Sequence, residues 1–279
     1  MSYDTYASLQ VHTDAGVAWL TLDHPPLNVL DATLMSELND FAGRVREDAA
    51  IRVLVVQSAD PEFFIAHGDM GFVDDPASFL ALQLGDDDGL PRNPMTRLHE
   101  RLRTLPQVTI AKLAGFARGG GSELAMALDM RFAAIGKGAL AQPETLMGII
   151  PGAGGTSYLP RLVGRARALE IVLGGELFDA QLAERYGWIN RALPADALDG
   201  FVDTLARRIA ALPPGVAAAG KAAIDAADGP LADAITTEEA LLAQLFNETA
   251  ADLSRTARAR GAQTRAGERD LEGLLNALR

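Results

Sequence analysis

Two glutamates stand beside glycine turns in this chain. Glu123 closes the string Gly119-Gly120-Gly121-Ser122-Glu123. Glu144 closes Ala141-Gln142-Pro143-Glu144, which runs on into a second turn, Pro151-Gly152-Ala153-Gly154-Gly155-Thr156. A strand-like apolar run over residues 108–114 enters the first turn, and a helical apolar pattern over residues 124–130 leaves it. Glycines let a backbone approach a ligand closely. The amides at a helix start are orphan donors at the positive end of its dipole. Such a corner holds an anion, or an oxygen that becomes one during a reaction. Oxyanion donors beside a candidate base point to chemistry on a carbonyl compound. The plainer reading of either glutamate is an acid at a helix start, favoured by the dipole alone.

A third segment, Phe63-Phe64-Ile65-Ala66-His67-Gly68-Asp69-Met70, completes an ordered set of motifs. Together they resemble the crotonase family, the enoyl-CoA hydratases and isomerases, whose usual strings are close to A-F-x-A-G-A-D-L, G-x-x-x-G-G-G-x-E-L-A and Q-P-E-x-x-x-G-x-x-P-G-x-G-G-T. The second and third are matched nearly letter for letter, and the resemblance runs from about residue 8 to residue 225. It implies an α/β fold, a spiral of ββα units with a C-terminal helical trimerisation region. One domain is expected over residues 1–279, with a spiral core at 1–195 and a helical region at 196–279.

The resemblance also assigns roles. Glu123 and Glu144 would hold and activate one water, one as base and the other as proton donor to the carbon α to a thioester. The amides of Gly68 and Gly120 would form the oxyanion hole, a backbone function that Gly68 serves as well as the family's usual alanine. Ala66, His67, Asp69, Met70, Gly119, Pro143 and Gly152 would line the substrate. With glutamate at both positions, hydration of a 2-enoyl-CoA is the favoured reaction. The alternatives are double-bond isomerisation, thioester hydrolysis or decarboxylation, or a non-catalytic binding role such as that of the RNA-binding relatives. Coenzyme A enters as part of the substrate, with no redox cofactor and no metal. The expected assembly is a homotrimer or a dimer of trimers in the cytoplasm.

The chain departs from the family strings at several places. His67 stands where glycine is usual, so the loop either takes an ordinary β or α geometry or strains the histidine. The lysine often found after the first motif is missing, with Gly71 and Phe72 in its place. The tail segment A-F-x-E-K-R-x-P is replaced by Thr256-Ala257-Arg258-Ala259-Arg260-Gly261-Ala262-Gln263-Thr264-Arg265.

Composition narrows the remaining classes. The 279 residues are 48% hydrophobic and 22% charged, which suits a folded domain with a sizeable core. Zero cysteines exclude disulfides, thiolate catalysis and zinc–cysteine sites. A net charge of −12 argues against nucleic acid as a partner, as does the acidic balance of the whole chain. The charge is uneven: Asp86, Asp87 and Asp88 cluster, while Arg255, Arg258, Arg260, Arg265 and Arg269 crowd the tail. That basic tail reads as a solvated helix face or as a contact for cofactor-like phosphates. Neither a signal peptide nor a membrane-length apolar run is expected. His12, His24 and His99 show no metal spacing, and Ser122 lies in no G-x-S-x-G string.

The elements that must position the site are partly readable. Two strands at 9–13 and 17–22 flank Asp14-Ala15-Gly16, a hairpin signal. Asp31 is the expected N-cap of a helix carrying Leu34, Leu38, Phe41 and Val45. Residues 51–57 form a continuous apolar run, a strand covered on both faces. Residues 71–94 read as an irregular or partly helical flap, followed by a helix at 95–104. Helical patterns are expected to dominate from residue 166, with a helix and short strand over residues 178–190.

Overall fold

The computed structural model describes residues 3, 5–85, 89–229, 236, 240, 242–245, 247–263, 275 and 277–278. Two compact units follow along the chain, Met1–Arg207 and Arg208–Arg279. The first opens with β1 (Leu9–Asp14) and β2 (Val17–Leu22), antiparallel, with Leu9 opposite Leu22 and Asp14 opposite Val17. Ala15 and Gly16 both take positive φ, 47° and 82°, the geometry a two-residue hairpin loop needs to match strand twist. In α1 (Ala32–Glu47) the Asp31 carboxylate accepts the Leu34 N–H at 2.9 Å. That cap satisfies one of the donors a helix start leaves unpaired. Leu34, Leu38, Phe41 and Val45 recur at helical spacing and are all buried.

β3 (Val53–Ser58) begins Val-Leu-Val-Val without alternation, and all four side chains are buried because both faces are covered. From here one unit repeats: β3 is followed by β4 (Phe63–Ile65), β5 (Val108–Leu113) by β6 (Phe116–Arg118), and β7 (Met130–Ala134) by β8 (Ala139–Ala141). Helices separate the pairs. After the first come α2 (Gly71–Asp74), α3 (Pro76–Leu80) and α4 (Pro94–Arg103), and after the second α5 (Gly120–Ala127). A 3₁₀ turn (Glu144–Met147), α6 (Gly155–Val163) and α7 (Arg165–Gly174) follow the third. In the stretch expected to be mostly helical, with a helix and short strand over residues 178–190, β9 (Phe178–Asp179) precedes α8 (Ala180–Tyr186) and β10 (Arg191–Leu193) follows it. α9 (Leu198–Ala210) comes next.

The first strand of each pair enters a six-stranded sheet of order β1-β2-β3-β5-β7-β10, parallel from β2 onward. The second enters a four-stranded sheet of order β4-β6-β8-β9, parallel from β4 to β8. Strand, strand, helix, repeated with each pair shared between two sheets, is the spiral of ββα units. Its core includes a charge. Arg131 in β7 is buried, and its guanidinium donates to Leu128 O at 2.6 Å, Trp188 O at 2.9 Å and Ala125 O at 3.3 Å. Two of these carbonyls end α5, so the cation caps the negative end of that helix dipole. Burial pulls the guanidinium down to about 10, still well above neutral pH.

In the second unit lie α10 (Val216–Ala226) and α11 (Glu248–Ala259), the latter capped by Asn247 on the Ala250 N–H at 3.1 Å. Arg255 binds Glu248 at 2.6 Å and Asp252 on its own helix face. Of the apolar stripe expected in the tail, Leu242 is exposed and Leu245 partly buried, whereas Leu241 and Phe246 lie outside the described residues. So do Asp86, Asp87, Asp88, Thr264, Arg265 and Arg269.

One close backbone contact in the spiral lies at Gly121, where a Cβ would sit 2.6 Å from Ile65 Cβ and from Ile65 O. Gly121→Ala should therefore lower unfolding stability by roughly 1–3 kcal/mol, the usual range for overpacking a close-packed interior. Urea denaturation measures it, and an unchanged midpoint would contradict this packing.

Candidate active site

The first glycine turn is built where β6 hands over to α5. Gly119 has φ 50° and ψ −124°, a conformation that residues with a Cβ rarely adopt. Its N–H donates to Ala141 O at 3.0 Å, fastening the turn to the end of β8. A Cβ on Gly120 would lie 3.0 Å from Met95 Sδ and 3.4 Å from Gly68 N, so the two glycine backbones face each other without a side chain between them. On the Gly68 side, Leu30 N–H donates to His67 O at 2.9 Å and Asp69 N–H donates to Leu30 O at 3.1 Å. Alternate amides of an extended segment point to opposite sides, so this bridge turns the Gly68 N–H away from Leu30. Among the described residues, neither the Gly68 nor the Gly120 N–H donates to a protein acceptor. Two unpaired amides at one point, one of them at the start of α5, form an anion-binding corner.

The carboxylates occupy the same cleft. Glu123 sits in the first turn of α5 with 2% of its surface exposed. Its Oε1 accepts the N–H groups of Ala153 and Gly155, both at 2.8 Å. Burial pushes its carboxyl above the ordinary range, and those two hydrogen bonds oppose the shift. Glu144 begins the 3₁₀ turn. With the Gln142 amide oriented so that both its atoms are satisfied, its NH₂ donates to Glu144 Oε2 at 3.0 Å and Oε1 at 3.1 Å. Glu144 is pushed up to about 7, first by burial and then by the charge of Glu123. The two groups therefore titrate as a pair. One proton-bearing and one ionised carboxyl near neutral pH is the combination general acid–base chemistry requires.

The cleft is about 380 Å³, large enough for a small acyl group and part of a thiol chain. Along with Gly68, Gly120, Glu123 and Glu144, the residues expected at the substrate stand on its wall: His67, Asp69, Met70, Gly119, Pro143 and Gly152. Ala66 is the exception among the positions read from the motif. It is 2% exposed and lies behind the wall rather than on it. His67 keeps an ordinary negative φ, and its Nδ1 lies 2.8 Å from Gly68 O, so the residue that replaces the family's glycine is unstrained. Asp69 accepts the Gly71 N–H at 2.8 Å.

Several wall residues carried no signal in the motifs. Phe72 and Phe79 stack at 4.6 Å between ring centroids and come from the flap read as irregular or partly helical, where α2 and α3 lie. Met95 and Asn93 come from α4, and Arg118 from the end of β6, its guanidinium 4.3 Å above the Phe116 ring. Only the start of α4 could have been found by local reading. Asn93 caps the Thr96 N–H at 2.9 Å and is followed by proline at the first helical position.

Other candidates fall elsewhere. Ser122 is fully buried with no partner for its Oγ. His24 pairs with Asp31 at 2.8 Å, His12 packs on Trp19, and His99 is buried. Among the described residues no group of three histidines and acids could hold a metal ion, and no helix is long and apolar enough to cross a membrane.

Fold and cleft together define an acyl-CoA type of site on a crotonase spiral. The chain belongs to the enoyl-CoA hydratase/isomerase family, whose profile matches residues 12–263. It is 34% identical to a Rhizobium meliloti (strain 1021) protein named "Probable enoyl-CoA hydratase", over 88% of this chain and 91% of that one. It is 30% identical to the crotonyl-CoA hydratase of Syntrophomonas wolfei, over 73% of this chain and 76% of the relative. A Streptomyces avermitilis crystal structure, grouped by name with the enoyl-CoA hydratases, is 48% identical over 98% of both chains with a TM-score of 0.75.

The raised carboxyl has a consequence for stability that does not depend on turnover. A group whose folded pKa exceeds its unfolded value stabilises the fold fully below the unfolded value and loses that contribution as pH rises through the folded one. For Glu144 the window runs from 4.5 to about 7. Glu144→Gln should leave stability nearly unchanged at pH 4 and raise it at pH 8, by on the order of 1–3 kcal/mol after allowing for partial solvation. Denaturant midpoints at the two pH values read this directly; equal effects at both would show that Glu144 is not strained by its charge.

Proposed function

We propose that the protein adds water across the double bond of a 2-enoyl-CoA to give a 3-hydroxyacyl-CoA. One observation carries this reading: two unpaired backbone amides and two carboxyls pushed up by burial converge on a single cleft. In the proposed reaction the thioester oxygen accepts from the Gly68 and Gly120 N–H groups. Negative charge develops on that oxygen as the enolate forms, and the dipole of α5 adds to the stabilisation there. Glu123, held as a carboxylate by two N–H donors, takes a proton from a water whose oxygen attacks C3. Glu144, which carries the pair's proton, delivers it to C2. The C–C double bond becomes single, C3 gains hydroxyl and C2 gains hydrogen. The proton left on Glu123 returns to Glu144 before the next cycle, so the enzyme is unchanged.

The acyl group suits an apolar chain, because Phe72, Phe79, Met95, Met147 and Ile149 supply much of the wall. Coenzyme A is part of the substrate, and the chemistry needs no redox group. Isomerisation would use the same amides but return the proton to a different carbon without consuming water. Product analysis with a panel of 2-enoyl-CoA and 3-enoyl-CoA thioesters separates the two.

Either Glu123→Gln or Glu144→Gln should lower kcat by about 10²–10⁴-fold with little change in acyl-CoA binding, since each removes proton transfer rather than uniform binding. Hydration near the wild-type rate in both single variants would overturn the two-carboxylate mechanism. We also propose a cytoplasmic homotrimer or dimer of trimers. Exposed apolar side chains on the helical unit support this, Ile224 at 75% and Leu242 at 48% among them. Light scattering at micromolar concentration should give at least three chains per particle, and a monomer would contradict it.

A further inference from the structure

One face of α4 grips the turn that holds Glu123. Asn93, Thr96 and His99 follow one another at three-residue spacing, which brings their side chains to the same side of a helix. Asn93 Nδ2 donates to Gly152 O at 2.7 Å, and Thr96 Oγ1 donates to the same oxygen at 3.0 Å. His99 Nδ1 pairs with Ala153 O at 2.8 Å in a buried contact, which makes Nδ1 the protonated ring nitrogen.

The Gly152 carbonyl and the Ala153 N–H belong to one planar peptide unit, and in a trans peptide they point in opposite directions. The hydrogen side of that plane donates to Glu123 Oε1 at 2.8 Å. This peptide is thus fixed at both edges, by two donors from α4 on its oxygen and by the candidate base on its hydrogen. Donors on the carbonyl polarise the amide and strengthen the bond its N–H makes. The second donor to Glu123, the Gly155 N–H, follows directly after the segment that His99 anchors. Tyr158 backs the same turn. Its ring packs where a Gly154 Cβ would be, and its hydroxyl donates to Glu100, the next residue of α4. Thr96 and His99 are absent from the cleft wall, so they reach the chemistry only through the turn.

We infer that the Asn93–Thr96–His99 face of α4 positions Glu123, fixing the 152–153 peptide plane so that its N–H holds the carboxylate in place for attack on water. Thr96 and His99 are positioning residues, and they touch no reacting atom. The kinetic consequence rests on the hydratase reading; the geometric consequence does not.

Thr96→Val keeps the shape of the side chain and removes the hydroxyl. It should lower kcat about 3–10-fold, the worth of one hydrogen bond of ordinary strength, with KM within about twofold of wild type. Thr96→Ser, which restores the donor, should recover the rate. In a Glu123→Gln background Thr96→Val should cause no further loss, because its effect passes through the carboxylate. A loss that multiplies undiminished onto Glu123→Gln overturns the inference, as does a KM effect without a kcat effect. A second measurement needs no turnover. In a ¹⁵N-alanine spectrum of the intact protein, the Ala153 amide proton should move upfield in Thr96→Val and return in Thr96→Ser. An unmoved Ala153 resonance overturns the positioning role whatever the activity. An enzyme that hydrates no enoyl-CoA but shows the shift would refute the proposed reaction and leave the α4 grip standing.

Discussion

Keeping a carboxylate ionised out of water is the constraint on which the site depends. An unpaired buried charge takes up a proton instead of surviving, so Glu123 stays ionised only while donors replace its lost hydration. The replacements are two backbone N–H groups from one turn, and both reach the same oxygen. For two amides to reach one atom the turn must come very close. A Cβ on Gly155 would lie 2.9 Å from Glu123 Oε1 and 2.5 Å from Pro151 Cβ, which leaves room for glycine alone. The second string of glycines therefore belongs to Glu123, although it follows Glu144 in sequence. Glu144 is supported differently, by a side-chain amide and its own backbone N–H, and its carboxyl is pushed up by the charge of its neighbour. The asymmetry gives the two carboxyls different surroundings without any difference in residue type.

The smaller sheet explains why motifs far apart in sequence meet. β4, β6 and β8 are parallel neighbours, with Ile65 opposite Ala117 and Arg118 opposite Ala141. The chain leaves all three at the same edge. Gly68 follows β4, Gly120 and Glu123 follow β6, and Glu144 follows β8. Ligands of parallel sheets gather beyond the carboxyl ends of strands for this reason: loops converge there and helix starts point inward. The larger sheet touches none of the chemistry. It fixes the spacing of the strand pairs, and Arg131 within it holds the far end of α5.

What could be read from the amino-acid sequence follows this division. Strings that are local in sequence and demanding in geometry were legible: Gly119 with its positive φ, the glutamates beside glycine turns, the hairpin at Ala15-Gly16, and the Asp31 cap. Their residue types are forced by backbone conformation or by charge, and no partner needs to be known. Ala66 marks the limit of that reading. Its place within a motif suggested contact with a ligand, but the folded backbone buries it while its neighbour His67 faces the cleft. Phe72, Phe79, Met95 and Arg118 were invisible for a related reason. An apolar or basic residue has the same local character whether it covers a core, a cleft or nothing. A helix and one short strand were legible over residues 178–190, and the structure puts that strand, β10, at Arg191–Leu193, whereas the two-residue β9 is too short to show a period.

The two unpaired amides at the cleft are held by different physics. The Gly120 amide is fixed by secondary structure: it opens α5, and helix geometry leaves it unpaired and aimed along the axis. No helix supports Gly68, so its orientation depends on what surrounds an extended loop. Leu30 bridges the backbone on one side, the Met95 methyl lies where a Cβ would come within 3.2 Å, and His67 closes a ring onto the Gly68 carbonyl. A glycine at position 67 would leave the loop free to sample positive φ, and ordering it would then cost conformational entropy. Histidine removes that freedom and adds a hydrogen bond at the carbonyl of the donor residue itself. The substitution that looked like the clearest departure from the family strings therefore acts on the less rigid half of the anion corner, where added constraint changes most.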